Sequence, residues 1–485
     1  MTYNNFISLK FLLMMTLMFC VLLNLNSVRI LKDSLIISSL GAEIINFIKL
    51  WIEMPAGILF VIVYNKLINI FDTEGVFQII VMGFTITFAT FVFIILPNQG
   101  ILNVDNSLID SLIDTYPNFK FFIMMFGNWT IVIFYVIASL WPVIIYSLLF
   151  WQLMNKINTG SEAINNYPVI NFIGQLNLLL SGSIITFLSG KDQLFFSFIS
   201  NVFGNQNAIV NILSILVIIT SFIIITVLFI IRKKDYNSNR KSFSVKKKYY
   251  NLNTKESIKV IFASKTLIYI FILVASYSVT INLIEGLWLS KAKEFYTNED
   301  ELIHYQGKVL FWTGAFTLAA TVSSSFFLKY KRWLFSATLT PIISVLAGGA
   351  FFLSVYFETD IKEYVIFNNF ITPLVLIITL GALQNIFIKG VKYSYFDITK
   401  EMLFIPLDRE LRTKGKAAVE IIGARSGKLV SIFFQFSLFT FMPYVSYSDI
   451  VTPLMLLFLI SCFVWIIIVN KLDIIVQPDR NKKTY

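Results

Sequence analysis

Long runs of apolar positions, interrupted by short polar clusters, dominate this chain from end to end. Twelve of the runs approach the roughly 20 apolar residues that a helix needs to cross a bilayer. They cover approximately 11–38, 44–67, 77–97, 121–153, 163–189, 207–231, 266–289, 307–328, 334–357, 366–391, 418–443 and 450–470. The fourth is too long for one straight span. Pro142 inside it predicts a kink, because proline removes a helical donor and clashes with the preceding turn. The pattern predicts an all-α, polytopic membrane protein.

Composition agrees. The 485 residues are 57% hydrophobic and include 49 Phe, with a mean hydropathy of +0.76. A soluble domain of that make-up would lie outside the usual range. No small-residue cleavage site follows the first apolar run, so the N-terminus does not read as a signal peptide. Cys20 and Cys462 lie in apolar runs at opposite ends of the sequence. Their spacing suggests no disulfide framework, zinc site or redox pair. The single histidine, His304, falls in a polar stretch and reads as a solvated surface residue. Metal-dependent chemistry and a Ser-His-Asp hydrolase have little to work with; no catalytic residue, metal or cofactor is expected.

Charge divides the connecting segments into two classes. The segment 232–265 holds eleven Lys/Arg against Asp235 and Glu256, most of the chain's formal net charge of +11. "KYKRW" at 329–333, the 389–428 region and the tail "DRNKKTY" are also basic. The alternate connections are poor in Lys/Arg: 98–120 has Asp105, Asp110 and Asp114 against Lys120, and 358–363 reads "ETDIKE". By the positive-inside rule both termini and the central linker face the cytoplasm. Orientation thus accounts for the basic linker, and without a recognition motif beside it no nucleic-acid partner is expected. Six helices (1–231), a linker (232–265) and six more helices with a tail (266–485) suggest two bundles in a major-facilitator-like arrangement. Weak internal similarity supports this: "VYNKLINIF" after the second span matches "FLKYKRWLF" after the eighth in position. No carbonyl filter or repeated charge ring points to a channel.

Charges inside the spans are the candidate chemistry. A Lys or Arg at the bilayer centre costs about 2.5–3.5 kcal/mol on insertion scales, so such residues face a bundle interior or a watery cavity. Arg29, Lys32 and Asp33 share one side of the first helix, with Arg29 and Asp33 spaced to neutralise one another and leave Lys32 available. Lys49 and Glu53 repeat the four-residue spacing, and Glu285 follows Asn282 by three. The tenth span ends with Lys389 and Lys392, and the eleventh begins with Arg425 and Lys428. Lys428, Lys293 and Lys329 are placed to snorkel toward an interface. Cations outnumber acids among the inward candidates, which suits a substrate bearing several negative charges such as a phosphate ester. "GARSGK" at 423–428 resembles a phosphate loop but has three residues between its glycines, no following Ser/Thr and no preceding strand. Helix packing explains its glycines more economically.

Four stretches, in order, carry a family resemblance: "RILKDSLIISSLGAEIINFIKLW", "SLLFWQLMNKI", "SYSVTINLIEGLW" and "GALQNIFIKGVKYSYFDITKEMLFIPLDRELRTKGKAA". Together they resemble the nucleotide transporters of plastids and obligate intracellular bacteria, including the rickettsial ATP/ADP translocases. The resemblance implies exchange of host ATP for ADP by alternating access in the cell inner membrane, without hydrolysis. It also implies that Lys32, Glu285 and a Lys near "KYS" (Lys389 or Lys392) matter for transport. Two positions depart from the family pattern. "ASLWP" has Ser139 where a functional Glu is expected, and "WLSK" has Leu289 where a Lys is common. Exchange of GTP, CTP or UTP therefore stays open as an alternative, and a proton-coupled organic-anion carrier stays open more distantly. The expected site is one central cavity holding Lys32, Glu285 and Lys392, with Lys389, Lys49 and Arg29 nearby and Asp33, Asn282 and Ser139 in support. The expected partners are nucleotides and the lipid bilayer, and the expected functional unit is a monomer.

Overall fold

The computed structural model describes residues 9–158, 160–190, 208–234, 262, 264–330, 333–363, 372–407, 411, 415–416 and 419–476. Every regular element among them is helical. Most of the basic linker and the C-terminal tail, both used above to orient the chain, lie outside these residues, as do 366–371 of the expected tenth span.

Twelve principal helices follow the apolar runs: α1 Leu9–Leu40, α2 Ile44–Ile70, α3 Thr73–Leu102, α4 Trp129–Ile157, α5 Gly160–Leu188 and α6 Ala208–Lys233, then α7 Lys265–Phe295, α8 Glu299–Tyr330, α9 Trp333–Tyr356, α10 Pro373–Met402, α11 Ala424–Phe441 and α12 Val451–Val476. Eleven of them are long and apolar enough to cross a membrane. The remaining one is α11, whose first turns carry Arg425 and Lys428 and lower its apolar average.

Boundaries moved where polar residues still favour helix. α8 starts at Glu299 instead of 307, because Glu299, Asp300 and Glu301 lie in its first turn, where carboxylates complement the helix dipole. α10 starts at Pro373 in the first helical position, with the Thr372 hydroxyl accepting from the Val375 N–H. The long fourth run is divided at Asn128 into a short helix, Lys120–Gly127, and α4. Pro142 changes the helical register: the backbone runs as a π-helix from Pro142 to Phe150. Further π turns occupy Lys49–Glu53 in α2, Phe91–Ile95 in α3, Lys392–Phe396 in α10 and Val419–Gly423 before α11. Such turns often mark functional positions. Here two begin at lysines singled out by charge alone.

The chain forms two compact units, one of Met1–Val245 with Tyr296–Gly314 and the other of Lys246–Phe295 with Ala315–Tyr485. The N-terminal half of α8 thus groups with the first six helices, a placement that hydropathy does not register. In that unit, α1 is tied to its neighbours by buried polar contacts. Asn24 donates to Ser221 of α6 at 3.0 Å, and Asn26 donates to Asn177 and Ser181 of α5 at 3.1 and 3.2 Å. Where lipid removes the hydrophobic incentive for helix association, such contacts and small-residue packing supply it. Gly182 and Gly314 show the latter. A Cβ on Gly182 would lie 2.2 Å from the Phe311 backbone nitrogen, and one on Gly314 would lie 2.3 Å from that of Leu179. Gln306 of α8 also donates to Ser34 of α1 at 2.9 Å.

In the second unit, Leu267, Ile270, Trp333, Phe396, Trp465 and Leu472 are among the buried residues of a core built by α7, α9, α10 and α12. Gly427 of the "GARSGK" stretch packs α11 on α7, since a Cβ there would meet the Ala275 carbonyl oxygen at 2.3 Å. Packing, not phosphate, accounts for it.

Candidate functional site

In the first unit the charge cluster of α1 gives Lys32, which the spacing left available, an acidic partner of its own. Asp33 takes its neighbour Lys32 as a partner: Nζ lies 2.6 Å from Asp33 Oδ1. Arg29 is exposed on the same helix. Lys32 is buried, at 8% exposure, deep in a helix that is itself mostly buried. Its ammonium also sits over the ring of Tyr135 on α4, 4.0 Å from the centroid. Ser139 lies four residues beyond Tyr135 and so on the same side of α4. Its Oγ is buried without a hydrogen-bond partner among the described residues, as is Trp141 Nε1. A hydroxyl stripped of water and left unpaired costs about 1–3 kcal/mol, so this stretch of α4 retains unused polar capacity. On α2, Lys49 opens and Glu53 closes a π turn, and both are half-buried.

The second unit holds four of the expected residues on two helices. Lys389 of α10 donates to Glu285 Oε1 of α7 at 3.2 Å. Asn282, one turn before Glu285, turns its amide to the Ser278 carbonyl at 2.8 Å. Lys392 pairs with Asp397 Oδ2 at 3.0 Å and lies 4.4 Å from the centre of the Tyr393 ring. Residues five apart on an α-helix point about 140° away from each other. The π turn removes that mismatch: the Asp397 N–H bonds the Lys392 carbonyl, closing an i to i+5 ring that brings the side chains together.

Three participants were missed by the sequence reading, namely Tyr135, Tyr393 and Asp397. The first carried no signal, since one tyrosine in a greasy helix is unremarkable by pattern. Asp397 was visible as an acid beside Lys392 but stood at the wrong spacing for a regular helix. Leu289, where a Lys was noted as common, is buried at 5% exposure. His304, read as a solvated surface residue, is only partly exposed. It lies half-buried on α8, with Nδ1 2.9 Å from Ser189 Oγ. Both cysteines are buried thiols. Among the described residues no group of three His, Cys, Asp or Glu side chains is placed to hold a metal ion.

Lysines held inside membrane helices by carboxylates, in both units, are the equipment of a carrier of anions. A protein-family model described as TLC ATP/ADP transporter matches residues 4–474. The chain belongs to that family. Among its relatives, ADP,ATP carrier protein 3 of Rickettsia conorii is 38% identical over 96% of this chain and 93% of its own length. ADP,ATP carrier protein 5 of Rickettsia bellii is 36% identical with the same coverage. Solved structures with the same fold include a bacterial homologue of the iron transporter ferroportin in an inward-facing state. It matches with a TM-score of 0.59 at 12% identity, covering 96% of this chain and 100% of that one. A D-xylose–proton symporter matches with a TM-score of 0.55 at 12% identity, covering 96% and 97%. The fold is therefore the major-facilitator-like one, and this family member is a multi-pass membrane transporter, not an enzyme.

Proposed function

We propose that this chain is a nucleotide antiporter that brings ATP inward in exchange for ADP by alternating access. The observation that carries the reading is Lys32, a buried membrane lysine neutralised by the residue next to it. Family membership supplies the class of substrate, and relatives carry the name ADP,ATP carrier protein. A cation costly to bury persists where it has a ligand to meet. Asp33 lets it stay charged when no ligand is present, and phosphate oxygens compete for the same ammonium.

In this reading Lys32, Lys389, Lys392, Lys49 and Arg29 handle the phosphates. Glu285 and Asp33 act as exchangeable counter-ions, with Asn282 and Ser139 in support. The protein works as a monomer in a bacterial inner membrane with both termini cytoplasmic. The deciding experiment is uptake of labelled nucleotides by expressing cells, with unlabelled nucleotides supplied inside as counter-substrates. Uptake of ATP driven by internal ADP supports the reading; its absence for every nucleotide pair rejects it.

A second reading, exchange of GTP, CTP or UTP, is favoured by Ser139. The hydroxyl stands where the family resemblance leads one to expect a carboxylate, and it has no partner among the described residues. The same uptake panel separates the two.

A further inference from the structure

In each unit one lysine is held by the same two kinds of group. In the first, the Lys32 ammonium is 2.6 Å from an Asp33 oxygen and 4.0 Å from the centre of the Tyr135 ring. In the second, the Lys392 ammonium is 3.0 Å from an Asp397 oxygen and 4.4 Å from the centre of the Tyr393 ring. Carboxylate and ring differ in what they do when a phosphate arrives. The carboxylate offers oxygens to the same ammonium and so competes directly with phosphate. The ring attracts the cation through its negative face and presents no competing oxygen there. It can hold the lysine before and after the exchange of anions.

The geometry is best defined at Tyr135. The ring comes from α4 and is 1% exposed, whereas Lys32 and Asp33 are neighbours on α1. Neighbours on an α-helix point about 100° apart, so the flexible lysine chain must bend sideways to reach Asp33. A ring fixed by burial under the ammonium limits where that chain can go. Lysine alone supplies little such restraint, being a point charge on four rotatable carbons.

We infer that Tyr135 is a positioning residue for transport. Its ring holds the Lys32 ammonium in place while the substrate's phosphates displace Asp33, and Asp33 recaptures the ammonium as the substrate leaves. The inference rests on reading Lys32 as a phosphate-binding residue. It makes Asp33 a built-in competitor that weakens binding and hastens release.

The test measures KM and maximal rate of labelled ATP uptake by cells expressing the full chain at matched membrane abundance. Tyr135→Leu removes the ring and is expected to raise KM about tenfold. Tyr135→Phe keeps the ring and is expected to return KM to within about twofold of the parent. Asp33→Asn is expected to lower both KM and the maximal rate, because a tighter complex dissociates more slowly. Equal KM values for Tyr135→Leu and Tyr135→Phe overturn the inference. So does an Asp33→Asn variant with parental KM and rate, an arm that decides the matter even where Tyr135→Leu fails to reach the membrane. Lys32→Ala keeps the two levels apart. Normal uptake by that variant overturns the reading of Lys32 and this inference with it. Loss of uptake there, with no ring or carboxylate effect, overturns this inference alone.

Discussion

Lys32 in the first unit, buried, and Lys389 in the second, half-buried, are both cations with acidic partners, yet they are held in different ways. Lys32 and Asp33 are consecutive residues of one helix, so their contact survives any rigid movement of α1. Lys389 and Glu285 join α10 to α7 across 3.2 Å, so their contact reports whether those two helices keep their spacing. The first arrangement stores charge. The second also fastens two helices together. The second pair thus joins two helices as the first does not, and single substitutions should distinguish the two arrangements.

The largest effect belongs to Lys32→Ala. Losing a hydrogen bond to a charged group costs about 1.5–3 kcal/mol, so uptake at low ATP should fall by up to about 100-fold. Membrane insertion should be unchanged on an immunoblot of isolated membranes. Normal uptake would make the α1 cluster a structural feature and erase the contrast.

Next comes Glu285→Gln, which leaves Lys389 without its carboxylate. Removing one member of a partly buried pair costs more than removing both. Maximal uptake should fall about tenfold in the single variant, and the double variant Glu285→Gln with Lys389→Gln should recover part of it. A double variant as poor as the sum of its parts would show that the pair does not act as a fastener.

A smaller, directional effect is expected at Ser139. ATP carries roughly one more negative charge than ADP. A carboxylate a few ångströms from the pathway shifts relative affinity by on the order of 1 kcal/mol. Ser139→Glu should therefore change the ratio of ATP to ADP uptake by a few-fold. An unchanged ratio in equally expressed preparations would assign nucleotide preference to contacts with the base.

The least perturbing test leaves transport intact. A cysteine replacing Lys247, in the segment connecting the two sets of helices, should react with an impermeant thiol reagent only after the membrane is permeabilised. Labelling of intact cells would reverse the orientation given to both units.

The sequence by itself determined the elements, because spanning a bilayer imposes a length and an apolarity that show in any window of the chain. It also singled out Lys32, Glu285, Lys389 and Lys392, because a charge in such a window is rare on energetic grounds. Four stretches were enough to suggest the family. Partners were another matter. Asp33 stands four residues from Arg29, yet its Oδ1 lies 2.6 Å from the ammonium of its neighbour Lys32, since helical spacing sets which residues share a side but not which long side chain bends toward which. Asp397 reaches Lys392 only because the backbone there closes an i to i+5 turn, which no α-helical periodicity anticipates. Tyr135 comes 103 positions after Lys32 in the sequence, and only the packing of α4 on α1 places its ring under the ammonium. Hydropathy is a local, additive property and can be read from a string. The geometry around each lysine depends on how separate helices pack and where their registers slip, and that is decided in three dimensions.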